Sequence, residues 1–215
     1  KFFKKILIVI TIITANHALA LNSSSYLITN TAVNLYDFEK AYSYFDDSNA
    51  ELSESDLENK LLTTVNLNLL NEAYDIAKNI LEVNQFNQLA WMAFLTFEIR
   101  NNQISDFKKY QKKFQDLDMN FLEYVFFDND GLIKEEKLIA QSIFELVQSS
   151  LSNKDNQPNY KFILFYLSIV NILDKNFDQA YFYSARIYEV LENFNKANFF
   201  YEKIKIDNNL YIESQ

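Results

Sequence analysis

Three short phrases in this chain share one pattern: Tyr36-Asp37-Phe38-Glu39-Lys40-Ala41, Lys175-Asn176-Phe177-Asp178-Gln179-Ala180 and Glu192-Asn193-Phe194-Asn195-Lys196-Ala197. Each joins polar turn residues to an aromatic and, three places later, an Ala, and an aromatic-rich amphipathic stretch follows. A polar turn, a buried aromatic and a small residue one helical turn on is how one helix folds back onto the next. The repetition therefore predicts a helical-hairpin repeat protein. Composition points the same way. The 215 residues include one Gly and one Pro, so β-hairpin turns and Gly-rich phosphate loops, which need positive φ, are nearly excluded and long helices are favoured.

Residues 1–20 read as a separate object. Lys1, Lys4 and Lys5 form a basic region, Ile6 to Ile13 an apolar core, and Ala18-Leu19-Ala20 an A-x-A cleavage site, the three parts of a secretory signal. The uncharged stretch is shorter than the ~20 residues that span a bilayer. Cleavage near Ala20 and a periplasmic or secreted product are expected, with an uncleaved inner-membrane anchor as the alternative. Removing Lys1, Lys4 and Lys5 leaves 17 cations against the same 29 acids, a formal net of −12. An acidic exported domain repels phosphate backbones and anionic headgroups, so neither nucleic acid nor a membrane surface is expected as a partner. With no Cys, stability has to come from packing.

Apolar spacing at i, i+3, i+4 and i+7, punctuated by Asn and Asp, predicts helices at 24–35, 37–48, 56–68, 71–83, 88–101, 104–116, 120–127, 133–151, 160–173, 177–191 and 195–206. Ser53…Asp56 and Ser55…Glu58 are capping-box candidates. The surrounding acids, Asp46, Asp47, Glu51 and Glu54 among them, read as a solvated linker or as a patch for a basic partner. Residues 152–159, with Pro158, read as a loop and hinge. No composition shift marks a second domain, so 21–215 reads as one array.

The register is regular. Ala41 to Ala73 is 32 residues and Ala73 to Phe107 is 34, with Phe38, Leu70 and Ile104 three places earlier in each case. Trp91, Leu95 and Phe107, and later Ala185, Tyr188, Phe194, Ala197 and Tyr201, fall at the intervals of the tetratricopeptide repeat family, which this chain resembles. The resemblance is clearest in units 22–53, 54–87, 88–119 and 160–211; 120–159 diverge, and Leu95 is bulky where the family has a small residue. It implies an all-α, right-handed α-solenoid of antiparallel helix pairs, about ten or eleven helices, drawn out as an elongated curved ribbon. The order also resembles secreted bacterial members of the family, which are often longer. The chain opens without Met, and 208–215 read as the start of another helix, so a piece of a longer protein is expected.

Chemistry is sparse. His17, the one His, lies in the signal segment, and Cys is absent. That removes Ser-His-Asp and Cys-His machinery and imidazole or thiolate zinc sites. Catalysis, cofactors and metals are not expected. The run Asp128-Asn129-Asp130-Gly131-Leu132-Ile133 has the order of a calcium loop. Aligning Gly131 at the turn puts Phe126 and Lys137 where the first and last oxygen ligands belong. An Asx-rich turn capping helix 133–151 is the expected role.

The resemblance also implies a partner groove lined by the first helix of each pair: Tyr26 and Asn30; Glu58 and Leu62; Leu89, Met92, Thr96 and Ile99; Phe182 and Arg186. Members that grip a C-terminal carboxylate use Lys and Arg beside Asn. Asn30 and Asn59 match, but Tyr26, Leu89 and Ala93 stand where the cations belong, so that mode is not expected. The apolar residues Leu89, Met92 and Ile99 either receive an amphipathic or extended segment or are covered by a neighbouring helix. The expected function is a non-enzymatic exported scaffold holding another protein or peptide. The alternatives are the helical portion of a larger envelope enzyme, such as one that cleaves cell wall, and self-association through an uncapped terminal repeat.

Overall fold

The computed structural model describes residues 25–45, 52–101, 107–153 and 157–205. The expected signal segment 1–20 and the tail 206–215 lie outside them. The described residues are all-helical apart from turns and one isolated bridge: α1 (25–34), α2 (Phe38–Phe45), α3 (Glu54–Asn66), α4 (Leu70–Val83), α5 (Gln88–Arg100), α6 (Phe107–Asp116), α7 (Asn120–Phe126), α8 (Glu136–Ser152), α9 (Tyr160–Leu173), α10 (Asp178–Val190) and α11 (Phe194–Tyr201). The Ser53 hydroxyl accepts from the Asp56 N–H while the Asp56 carboxylate accepts from the Ser53 N–H at 3.1 Å, so the first capping box forms as the sequence predicts.

Two turn chemistries recur. After α1, α3, α6 and α10 the chain passes through Tyr36, Asn68, Asp118 and Glu192, all at φ between 54° and 59°. In each turn a six-to-one and a five-to-two type bond close the helix, as with Asn193 N–H to Tyr188 C=O and Glu192 N–H to Glu189 C=O. This is the Schellman arrangement, made here without glycine. After α4 and α9 the chain instead leaves extended through Asn84 and Asp174. Their side chains then accept from the N–H two residues on, Phe86 at 3.0 Å and Asn176 at 2.9 Å. Such an Asx turn satisfies the backbone while the next helix starts.

From α2 to α5 and from α6 to α11 consecutive helices pack on one another, α5 meets α6 through Trp91 against Tyr110 and Phe114, and α3 also touches α5. The expectation of a ribbon whose pairs meet only their neighbours is corrected by α9, which packs against α8 and α10 and also against α3 and α5. The reason is visible in its residues. Ile163, Leu164, Phe165, Leu167, Ile169, Val170, Ile172 and Leu173 are all buried, and they point in every direction around the axis. A helix apolar all round must be enclosed, and neighbours in sequence cover only part of it. Each such side chain contributes about 1.5–3 kcal/mol on burial, so α3 and α5 close over the remainder. Phe38 of α2 and Ile204 beyond α11 thereby share one core with α9, while Ala32, Val33, Ala41 and Phe45 form a small satellite.

The run at Asp128 also departs from expectation. It does not cap α8, which begins at Glu136 without a side-chain cap. Instead Phe127 and Ile133 form an antiparallel bridge, and Asp128 Oδ1 accepts from the N–H groups of Asp130 (3.0 Å) and Leu132 (2.8 Å). Gly131, the one Gly, takes φ +72° there. The one Gly of the chain thus sits in the turn of the one bridge among the described residues.

Candidate functional site

Closure by α9 leaves a cleft of about 630 Å³ where the helix ends converge, within the ~300–1,000 Å³ usual for ligand sites. All three copies of the repeated phrase reach it: Phe38 and Glu39 from the first, Lys175 from the second, Asn195 and Lys196 from the third. Asn66, Leu67, Asn68 and Leu70 enter from the α3–α4 turn, Arg100 from the end of α5, and Ser168 and Asn171 from α9. Tyr181, Tyr188, Phe199 and Phe200 supply an aromatic wall. Tyr188 and Phe200 stack at 5.5 Å with nearly parallel rings, and Phe199 meets Phe200 edge-on at 5.3 Å.

Charge in this cleft runs opposite to that of the chain. Overall, acids outnumber cations 29 to 20, yet among the described residues the lining holds Arg100, Lys175, Lys196 and Lys203 against Glu39. Lys196 is committed: its Nζ lies 2.6 Å from Glu39 Oε2, donates to the Tyr36 carbonyl at 3.3 Å, and sits 5.6 Å from the ring centres of Phe38 and Tyr188. This contact ties α11 to α2 across 157 positions of sequence. Burial would push the Glu39 carboxyl up, but the hydrogen bond and charge of Lys196 outweigh it and hold it below its ordinary value. Arg100 pairs with Glu136 at 3.2 Å. Lys175 and Lys203 have no carboxylate within ion-pair distance among the described residues; Lys203 lies 4.8 Å from the Phe199 ring centre.

The phenols of Tyr181 and Tyr188 are raised above their ordinary value, chiefly by burial and then by nearby Asp and Glu carboxylates. Both stay protonated and add no negative charge. The amides complete the lining. Asn66 Nδ2 donates to the Leu62 carbonyl at 2.7 Å, and Asn66 Oδ1 accepts from Ser168 at 3.0 Å. Asn171 Oδ1 is buried and has no hydrogen-bond partner. An unpaired buried acceptor costs about 1–3 kcal/mol, and this one is closed off from the cleft. The arrangement can hold an anion, stack an aromatic and pair an amide.

None of the ten residues expected to line a groove lies in this cleft. Leu62, Leu89, Met92, Thr96 and Ile99 are buried, Met92 at 0% exposure. Of the two readings open for Leu89, Met92 and Ile99, cover by neighbouring helices is the one found: α5 packs against both α4 and α9. Glu58 accepts from the Asn87 amide, and Asn59 donates to Asn30 at 2.6 Å, so both work between adjacent pairs. Tyr26 is exposed at 49% on α1. Phe182 and Arg186 do meet, with Leu151, Tyr160, Tyr183 and Val190, around a shallower apolar depression of about 300 Å³. There Arg186 is held by Glu189 at 2.7 Å. The signal that could have found the cleft was the cations and amides at helix ends and turns, not those on first-helix faces.

Among the described residues no cluster of three or more His, Cys, Asp or Glu is placed to hold a metal, and no helix is long and apolar enough to cross a membrane. No family model, curated protein or solved structure matches the chain.

Proposed function

We propose that this chain is a non-enzymatic binding scaffold, built from tetratricopeptide-like helix pairs and exported under direction of residues 1–20, that holds a segment of another protein. The observation that carries the reading is the cleft, into which all three repeated phrases deliver side chains. Conserving a phrase through the fold and turning it toward one hollow is what a binding scaffold does with its repeats. The lining favours holding over reacting: its one carboxylate, Glu39, is tied to Lys196, whereas carboxylate catalysis needs two acids set apart across a substrate. The spacing of the phrases and the Trp91 and Ala185–Tyr201 intervals support the tetratricopeptide likeness, and the basic, apolar and A-x-A order of residues 1–20 supports export.

A photo-crosslinking residue at Phe199, exposed on the cleft wall, tests this in living cells against the same residue at Phe86, exposed elsewhere. Covalent adducts to a second polypeptide from Phe199 and none from Phe86 are expected. Adducts from Phe86 alone, or none from Phe199, would reject the cleft as the binding surface.

A further inference from the structure

We infer that the outer face of α6 binds an anionic lipid surface, a role separate from the cleft, since no α6 residue lines either hollow.

The run Phe107-Lys108-Lys109-Tyr110-Gln111-Lys112-Lys113-Phe114-Gln115 holds four cations and no acid, in a chain where acids are in excess. At 3.6 residues per turn, positions 108, 109, 112 and 113 fall within roughly 140° of arc and ~8 Å of helix axis. Packing fixes the opposite face. Phe107 and Phe114 are buried, their rings 5.6 and 6.3 Å from Phe127, and Trp91 stands 5.2 Å from Phe114. With that stripe turned inward, Lys108, Lys109 and Lys112 are exposed, and Lys113 lies over the Trp91 ring, 5.2 Å from its centre. Lys60, Lys78, Arg100, Arg186 and Lys196 each have a carboxylate partner, whereas none of the four α6 lysines has one within ion-pair distance among the described residues. Repulsion within such a face is relieved when a counter-charge arrives.

Shape and neighbours select the partner. The face is one convex helix surface, with no groove for an extended peptide and no converging donors for a small anion. It suits a broad sheet of negative charge, to which clustered lysines on an amphipathic helix are drawn. The acids elsewhere do not oppose this, because a flat surface meets one side of the molecule and charges beyond ~8–10 Å are screened. Net charge argued against a membrane partner for the chain as a whole; α6 is a local exception. The hairpin beside α6 separates lipid from nucleic acid. Phe127 packs on Phe107 and Phe114, Gly131 lies against Gln111, and the next residue, Leu132, is 59% exposed. An apolar side chain beside cations gains nothing from a phosphate backbone, but it enters the headgroup boundary of a bilayer. Nor is Tyr110 free to stack a base, since Trp91, Phe94 and Phe107 surround its ring.

The test uses the chain from residue 21 onward, which keeps every described residue and omits the apolar, Lys-bearing segment 1–20 that would seek a bilayer by itself. Cosedimentation compares vesicles of phosphatidylcholine with vesicles carrying about a third phosphatidylglycerol. Binding to the anionic vesicles alone is expected, weakening as salt rises. Lys108→Glu, Lys109→Glu and Lys112→Glu together should weaken it about a hundredfold or more, at roughly fivefold or more per lysine. The milder Lys108→Gln, Lys109→Gln and Lys112→Gln set should act in the same direction with helical circular dichroism unchanged. Lys175→Glu with Lys203→Glu, in the cleft, should leave vesicle binding as it was. Leu132→Ser should remove the part of binding that survives high salt. Absence of binding, equal binding to neutral vesicles, or equal loss from the α6 and cleft reversals would overturn the inference. Tighter binding of a DNA duplex than of anionic vesicles at the same salt would assign the face to nucleic acid and overturn it as well. Adducts at Phe199 are independent of every one of these outcomes, so the scaffold reading and the lipid-binding face stand or fall separately.

Discussion

Glu192 stands at φ 57° with its side chain in solvent, a conformation that costs an ordinary residue about 1–2 kcal/mol and glycine almost nothing. Glu192→Gly should therefore raise the free energy of unfolding by about 1 kcal/mol after the added flexibility of the unfolded chain is subtracted. Gly131 is the mirror case. At φ +72°, a Cβ there would also stand 2.9 Å from Gln111 Oε1, so Gly131→Ala should cost about 1 kcal/mol even after Gln111 swings away. Urea denaturation of the two variants checks the pair. Tyr74 donates to the buried Glu98 carboxylate at 2.7 Å, and burial followed by that bond pushes its phenol up to about 12. The shift is upward, so its contribution is complete below pH 10 and fades as pH climbs toward 12. Tyr74→Phe should cost about 1–3 kcal/mol at neutral pH, and its deficit against the parent should shrink across that alkaline window. At this scale the sequence was half legible. Ser53 and Asp56 advertise their capping box, because cap chemistry lies in the side chains. Nothing in Tyr36 or Glu192 advertises a left-handed backbone, which the turn imposes on whatever residue stands there.

α9 is the element on which the others depend. It buries side chains all round and meets α3, α5, α8 and α10. Phe165→Ala should cost about 3–5 kcal/mol, and amide exchange should quicken in α3 and α5 as well as in α8 and α10. Phe162→Ala, on the same helix but with its side chain exposed, should cost far less and leave α3 untouched. Helix existence and most boundaries followed from periodicity and Asn/Asp punctuation, which act locally. The roles of Leu89, Met92 and Ile99 did not follow. A periodic pattern says that a face is apolar, and α5 is apolar on more than one face because α4 and α9 both lie against it. The stretch Tyr160–Leu173, with Lys161 as its one charge, carried the missing signal, since such a helix cannot sit at the side of an open array.

Across the whole molecule, closure separates this chain from a simple stack. A stack unfolds unit by unit, with each unit supported by its neighbours alone. A shared core running from Phe38 through α9 to Ile204 should give one cooperative transition, with circular dichroism and Trp91 fluorescence coinciding through urea. Net charge misleads at the same scale. A sum over the chain is blind to where Lys175, Lys196 and Lys203 are brought together. The bond from Lys196 to Glu39 spans 157 positions and has no local signature, so no reading of spacing would reveal it.

That closure is also the claim most open to direct measurement. The chain has no Cys, so Lys40→Cys on α2 and Asn198→Cys on α11 give two unique positions for nitroxide labels. Pulsed electron paramagnetic resonance then reads the distance between the labels. With helices packed at ~10 Å between axes, α11 folded back on α2 predicts one narrow distribution near roughly 20–25 Å, whereas an open run of helix pairs puts the labels roughly 40 Å or more apart. The short distance is the result expected here. The long one would contradict the enclosed α9, the Lys196–Glu39 contact and the cleft together.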